Sequence, residues 1–312
     1  MTVLVYTAIA IGSLVFVVAS AARAVLYARS PMHLRWELYP VPHEHPDRVS
    51  HGGSYFELSE WWSRPRERRL RGELAVMIPE ILFLKALREH NPGLWRRSFP
   101  FHFGLYLLTG AGGGLLVVAA VSRLASPEWL NGAAGQLARW ALSGMGWAGL
   151  VLAVSGALAL LHRRAGDPAL RAFTTPGDAF NLLFFVVALG TLGAGYVARP
   201  PGSADALGIA IGILSWDAAV RLPWALAAGL VATAALTAYI PLTHMSHFIG
   251  KYFTYHAIRW DDAPSGDSRK MAVALAASLA QRPTWSARHM KADGRATWAD
   301  IVTTNPTDEG GR

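Results

Sequence analysis

Two histidines three residues apart, His244 and His247, close the last long apolar stretch of the chain, within the run PLTHMSHFIGKYFTYH from Pro241 to His256. An imidazole left unpaired in hydrocarbon is costly, so ionisable side chains at that depth mark functional sites by default. A third histidine, His102, lies near the start of an earlier apolar stretch, in FPFHFGLYLL. If the two stretches run as antiparallel helices, His102 comes to the same depth as His244 and His247. Two facing helices can then supply imidazoles to opposite faces of one planar haem, which bis-histidine ligation requires. His102 with either His247 or His244 meets that condition. His244 and His247 together do not, because three helical positions separate them by only about 60°. The competing reading is a set of interfacial histidines bonded to backbone or lipid, and spacing alone leaves both open. No carboxylate cluster accompanies these residues, which argues against a zinc or di-iron site. His33, His43, His45, His51, His90 and His289 fall in polar loops and read as solvated. His162, beside Arg163 and Arg164, reads as a polar helix end.

The elements that must position these residues follow from composition. The chain has 312 residues, 52% of them hydrophobic and 16% charged, against about 25% charged in an ordinary soluble domain. There is no cysteine, which excludes disulfides, cysteine-ligated clusters and a thiol nucleophile in this chain. A span needs about 20 apolar residues to cross hydrocarbon roughly 30 Å thick. Five stretches qualify: Val3–Tyr27, Phe99–Val121, Trp140–Leu161, Ala179–Ala198 and Leu222–Ile249. Ala204–Trp216 is too short and is followed by Asp217 and Arg221, so it reads as a surface or re-entrant helix. Residues 2–20 resemble a secretion signal, but Leu26 and Tyr27 continue the apolar run and no small-residue cleavage site follows, so an uncleaved anchor is expected.

The net charge of +8 suggests a nucleic-acid partner until the positions are considered. Residues 28–98 carry twelve Lys/Arg, residues 163–171 three, and the tail after Ile249 nine, while the alternate connections hold only Arg123, Arg139, Arg199 and Arg221. Basic residues mark cytoplasmic connections. The expected fold is an all-α integral membrane protein of the cytoplasmic membrane with five transmembrane helices, N-terminus outside and C-terminus cytoplasmic. It divides into a first transmembrane helix (1–27), a cytoplasmic basic loop (28–98), a four-helix membrane bundle (99–249) and a cytoplasmic tail (250–312).

Within the loop, Arg64–Leu74 is a basic run, either a lipid-facing skirt or a docking surface for an acidic partner. Glu80–Arg88 has helical spacing and suits the interface. Gly104, Gly110, Gly112, Gly113 and Gly114 in the second stretch, and Gly144, Gly146, Gly149 and Gly156 in the third, permit close helix contact, or room for a large planar cofactor. The tail offers one amphipathic helix, Ser268–Gln281, then an aromatic and basic segment with Trp285, His289 and Trp298. It is too short and polar to bury a good core of its own, so it is expected to be ordered by something it binds. The spans are nearly devoid of ionisable residues, which ranks a transporter last.

The five spans and the run RRAGDPALRAFTTPGDAFNLL from Arg163 to Leu183 resemble the membrane cytochrome b subunits of the respiratory nitrate reductase gamma family. That family includes membrane subunits of sulfite-reduction-linked and heterodisulfide-reductase-like complexes. The resemblance covers about Phe99 to His256. Members carry two histidines ten residues apart in the second span and two, eighteen apart, in the fifth, the later one following a proline by six residues. His102 matches the first second-span ligand, and His247, six after Pro241, the later fifth-span ligand. His244 stands three earlier, where the nitrate reductase branch has a basic residue. Gly112 and Gly229 occupy the other two ligand positions. The resemblance therefore implies one haem b on the cytoplasmic side, with His102 and His247 as axial ligands of its iron. The long 28–98 segment and the KYFTYHAIRWDD run resemble the branch whose partner is a cytosolic iron–sulfur subunit of heterodisulfide-reductase type. The implied function is electron relay between the quinone pool and that subunit. Arg96, Arg97, Arg164 and Lys251 stand level with the haem propionates in this picture. His244 would bond a propionate or, like His162, a quinone. A second haem would need His162, His244 or His256 to find partners. The alternative is a haem-free membrane anchor for a soluble redox enzyme.

Overall fold

The computed structural model describes residues 1–29, 58–60, 63–64, 69–124, 130–254, 269–284, 286–287 and 292–303. His33, His43, His45, His51, His256, Trp285 and His289 lie outside them, as do residues 65–68 of the basic run and everything in KYFTYHAIRWDD after Thr254. The architecture is helical. In chain order the helices are α1 (Thr2–Arg29), α2 (Leu70–Phe83), α3 (Lys85–His90), α4 (Pro92–Leu124), α5 (Ala133–Gly166), α6 (Pro168–Arg171), α7 (Pro176–Val197), α8 (Ala206–Ser215), α9 (Trp224–Leu242), α10 (His247–Thr254), α11 (Arg269–Leu279) and α12 (Trp298–Thr303). A two-residue antiparallel pairing, β1 (Ser286–Ala287) with β2 (Ala292–Asp293), is the sole strand contact among the described residues.

Five helices, α1, α4, α5, α7 and α9, are long and apolar enough to cross a membrane, with 28, 33, 34, 22 and 19 residues. The chain is thus a multi-pass membrane protein by the length and composition of its helices. Their outer faces agree: Leu4, Leu14, Val17, Val117, Val151 and Val187 are all exposed, a pattern that suits hydrocarbon surroundings. The short stretch after α7 forms α8. It is buried rather than superficial: Leu207 and Ala210 pack with Ala119 and Leu130, and Ile209 packs with Val5 and Tyr6.

The chain forms two compact units, one of residues 1–24 and 74–249, the other of residues 25–73 and 250–312. The first contains the helical bundle. Its core joins Phe101 of α4, Ala153 and Ala157 of α5, Phe185, Ala188 and Leu189 of α7 and Leu236 of α9. Phe101 and Phe185 meet edge to face at 4.9 Å, a favoured arrangement for aromatic quadrupoles. Glycine sets the α4–α5 spacing. A Cβ on Gly104 would overlap the Ala153 amide nitrogen, and one on Gly156 would overlap that of Phe101. For these two positions close helix packing, not room for a cofactor, is the reason for glycine. Gly112, Gly113 and Gly144 have nothing within 4 Å of such a Cβ, so contact does not explain them.

Helix ends follow their caps. Thr175 and Asp178 form a reciprocal capping box at the start of α7, with Pro176 in the first turn, which satisfies amides that have no intrahelical partner. The helical spacing of Glu80–Arg88 is divided between α2 and α3 at Leu84, whose φ is 51°; the Glu80 carboxylate accepts from the Ala86 amide at 2.8 Å. In the second unit, Thr297 and Asp300 cap α12 in the same reciprocal way. The Thr297 hydroxyl and amide hold the Asp300 carboxyl below its ordinary range.

The fifth apolar stretch departs from expectation. It is not one span to Ile249. Helix α9 stops at Leu242, a 3-10 turn covers His244–Ser246, and α10 begins at His247. The cause is local. Pro241, inside the last turn of α9, lacks an N–H and so removes one bond from that turn. Thr243 adopts extended backbone and accepts from the Met245 amide, and Ser246 Oγ donates to the Thr243 carbonyl at 2.8 Å. Arg23 of α1 donates to the Pro241 carbonyl, placing a cation on the negative end of α9, where it is favourable.

Candidate functional site

This broken end of α9 sits beside the start of α4, and the break sends the two neighbouring histidines to different partners. His247, the first residue of α10, faces His102 of α4 with ring centroids 6.1 Å apart and planes 74° from parallel. His244, in the turn, faces α7: its Nε2 accepts from the Asn181 side-chain amide at 3.1 Å and lies 3.7 Å from Asp178 Oδ1. Of the three histidines singled out in the sequence, the structure pairs His102 with His247 and places His244 in a separate polar cluster.

The 6.1 Å spacing has chemical content. A metal–imidazole bond is about 2 Å long and the ring centre lies about 1 Å behind the nitrogen, so two imidazoles sharing one metal between them have centroids roughly 6 Å apart. The tautomer of His102 also suits ligation. Its Nδ1 lies 2.8 Å from the Ser98 carbonyl oxygen. A carbonyl only accepts, so the proton is on Nδ1 and the lone pair is on Nε2. A backbone carbonyl holding one ring nitrogen commonly fixes the other for a metal. His102 is half-buried and His247 is exposed.

A haem also brings carboxylates that need cations. Arg164, one of the residues expected at that level, pairs with Asp178 at 3.8 Å. Its neighbour Arg163 carries a buried Nη1 with no hydrogen-bond partner among the described residues, and a buried guanidinium nitrogen without an acceptor suits an anionic ligand group. The imidazole spacing and the tautomer fit a bis-histidine haem. No group of three or more His, Cys, Asp or Glu suited to a metal ion exists among the described residues.

The cluster around His244 was not legible as a site in the sequence. Asn181 is buried in α7 and links two elements: its amide donates to His244, and its carbonyl accepts from the Tyr239 hydroxyl of α9 at 2.9 Å. Asp178 therefore serves three groups: the capping box, Arg164 and His244. The available signal was an asparagine amid apolar residues, together with Arg23 as the lone charge inside the first span. Asn181→Leu puts an apolar side chain of the same branching at this buried position and removes the partner of the half-buried Tyr239 hydroxyl, while His244, 68% exposed, turns to water. It should lower stability by about 1–3 kcal/mol, read as thermal unfolding in detergent. A change within about 0.5 kcal/mol, the level of an ordinary surface substitution, would show that the cluster is not holding α7 to the turn.

Gly229 and Gly112, the two positions that the resemblance sets against further ligands, differ in their surroundings. A Cβ at Gly229 would run into the backbone of Leu192, so α7 and α9 touch too closely for any larger residue there. Gly112, in contrast, faces open space and lines a cavity of about 650 Å³. His162 is exposed at the end of α5. No protein-family model, no curated protein and no solved structure matches this chain.

Proposed function

We propose that this chain is a membrane cytochrome b subunit of the kind found in the nitrate reductase gamma family, in the branch with heterodisulfide-reductase-like iron–sulfur partners. In this reading it relays electrons between quinone or quinol in the bilayer and a cytosolic iron–sulfur subunit, through one haem b near the cytoplasmic face. The observation that carries the reading is the His102–His247 pair, with centroids 6.1 Å apart and contributed by separate helices. A bound haem would supply reversible one-electron chemistry. The chain's own residues do the placing. His102 and His247 would hold the iron, the Ser98 carbonyl keeps the His102 proton on Nδ1, and Arg163 offers a donor to a carboxylate. The turn that presents His247 is pinned on one side by Arg23 at the Pro241 carbonyl and on the other by Asn181 at His244.

Charge asymmetry supports the topology in this proposal. The basic connections lie at the end of the bundle that carries the histidines, so that end faces the cytoplasm, the N-terminus lies outside and the C-terminus inside. The same basic segments would dock the soluble partner. The test is optical and stoichiometric. The full chain, purified from membranes, should show a reduced b-type spectrum with one haem per chain. A colourless protein that unfolds cooperatively would leave only the alternative, a haem-free membrane anchor. Two haems per chain would overturn the single-site assignment.

A further inference from the structure

A cavity in the bundle lies apart from the histidine pair: neither His102 nor His247 lines it. It occupies about 650 Å³ among α1, α4, α5, α7, α8 and α9, on the far side of the bundle from His102 and His247, with walls that include Ile9, Leu108, Gly112, Gly146, Leu192 and Leu230. Leu116, Trp147, Leu214 and Trp216 also line it and are exposed, so it opens to the surroundings rather than being sealed. An apolar void of this size left unfilled forfeits dispersion contacts in proportion to its volume. At roughly 30 Å³ for a methylene, comparable to a water in the liquid, it accommodates a chain of about twenty heavy atoms.

Two features choose the occupant. First, three of the hydroxyls in the wall are engaged as donors within the fold, which leaves Tyr196 and the small side chains of Ser13 and Ser143 as its other hydroxyls. Tyr6 donates to the Asp217 carbonyl at 3.3 Å, Thr233 to the Gly229 carbonyl at 2.8 Å and Thr237 to the Thr233 carbonyl at 2.9 Å. The depth of the cavity thus suits plain hydrocarbon better than a polar ring. Second, a smaller pocket of about 260 Å³ shares Leu115, Ser143, Tyr196 and Ala206 with the cavity and adds Arg139, Trp140 and Asp205. Arg139 and Asp205 form an ion pair there, and the Arg199 guanidinium stacks 3.6 Å from the centre of the Tyr196 ring. An apolar channel that ends at a cation and an anion side by side, next to aromatic rings, complements a phospholipid: acyl chain inside, phosphate and ammonium at the mouth.

We infer that this cavity holds one acyl chain of a bilayer phospholipid, bound as a resident component of the bundle. The inference does not depend on the haem. The glycines supply its test. Gly112 lines the cavity, Gly113 does not, and neither would meet any atom within 4 Å if given a Cβ. Gly112→Phe should fill the cavity, whereas Gly113→Phe should project elsewhere. The full chain is released from phosphatidylethanolamine-containing membranes in mild detergent and weighed by native mass spectrometry. Wild type and Gly113→Phe should each retain one phospholipid, and Gly112→Phe should show at least a tenfold lower occupancy. Gly146→Leu, on the facing helix, provides a second occluding variant in case the first fails to fold. Equal occupancy in the occluding variants and wild type, a wild type without lipid, or a retained prenylquinone in its place would overturn the inference.

Discussion

His102→Ala and His247→Ala should each abolish haem binding, whereas His244→Ala should leave the haem in place. The argument rests on direction more than on proximity in sequence. His247 presents its ring to His102 at 6.1 Å, while His244, three residues earlier, is turned to Asn181 and Asp178. If His102 and His247 hold the haem as proposed, loss of either imidazole would remove half of the protein's grip on the iron. Loss of His244 removes a support of the turn, and the effect of such outer groups on metal affinity is typically 10–100-fold. At the micromolar haem used in a reconstitution titration, the axial variants should show no low-spin b-type spectrum, while His244→Ala should retain it at reduced affinity. If His244→Ala alone lost the haem, the fifth-span ligand would have to be reassigned.

The second large effect is expected at Gly156. Its Cα faces the backbone of Phe101 so closely that an added Cβ would overlap the amide nitrogen and crowd the Phe101 Cα. Overpacking against side chains costs about 1–3 kcal/mol. Here the obstacle is main chain, which cannot rotate away, so Gly156→Leu should cost about 3 kcal/mol or more. Because His102 follows Phe101 directly, the shift of α4 should also lower haem occupancy. Gly144→Leu, whose Cβ meets nothing within 4 Å, is the matched control and should change stability by no more than about 0.5 kcal/mol. Thermal unfolding of both variants in detergent decides it: equal midpoints would mean that α4 and α5 are not held at backbone contact.

The long helices were legible because membrane spans are read from length and apolarity alone. Each of the five apolar stretches contains the core of an observed helix. The helix ends were less legible, since hydropathy fades where a helix continues into polar residues: α4 starts at Pro92 rather than Phe99, and α5 runs from Ala133 to Gly166 around the expected Trp140–Leu161. The fifth stretch shows the limit most clearly. Hydropathy sees an unbroken run to Ile249, whereas Pro241, the cap at Thr243 and a cation from a helix more than two hundred positions away end α9 at Leu242. The histidine pairing was readable from antiparallel geometry. Spacing left the choice between His244 and His247 open and only the resemblance pointed to His247, because what turns His244 aside is where Asn181 lies in three dimensions. The engagement of Arg164 by Asp178 and the buried, unpartnered Nη1 of Arg163 were not legible either, because both depend on how the end of α5 lies against its neighbours.

The contact between Gly229 and the Leu192 backbone bears on how such a bundle could be re-engineered. A histidine could not be written into position 229 as it stands, because the neighbouring main chain occupies the volume its side chain needs. A designer wanting a cofactor ligand at that position would first have to respace α7 and α9, an operation on the scaffold rather than on one codon. The bundle is therefore committed, by its own spacing, to treating its two halves as different materials.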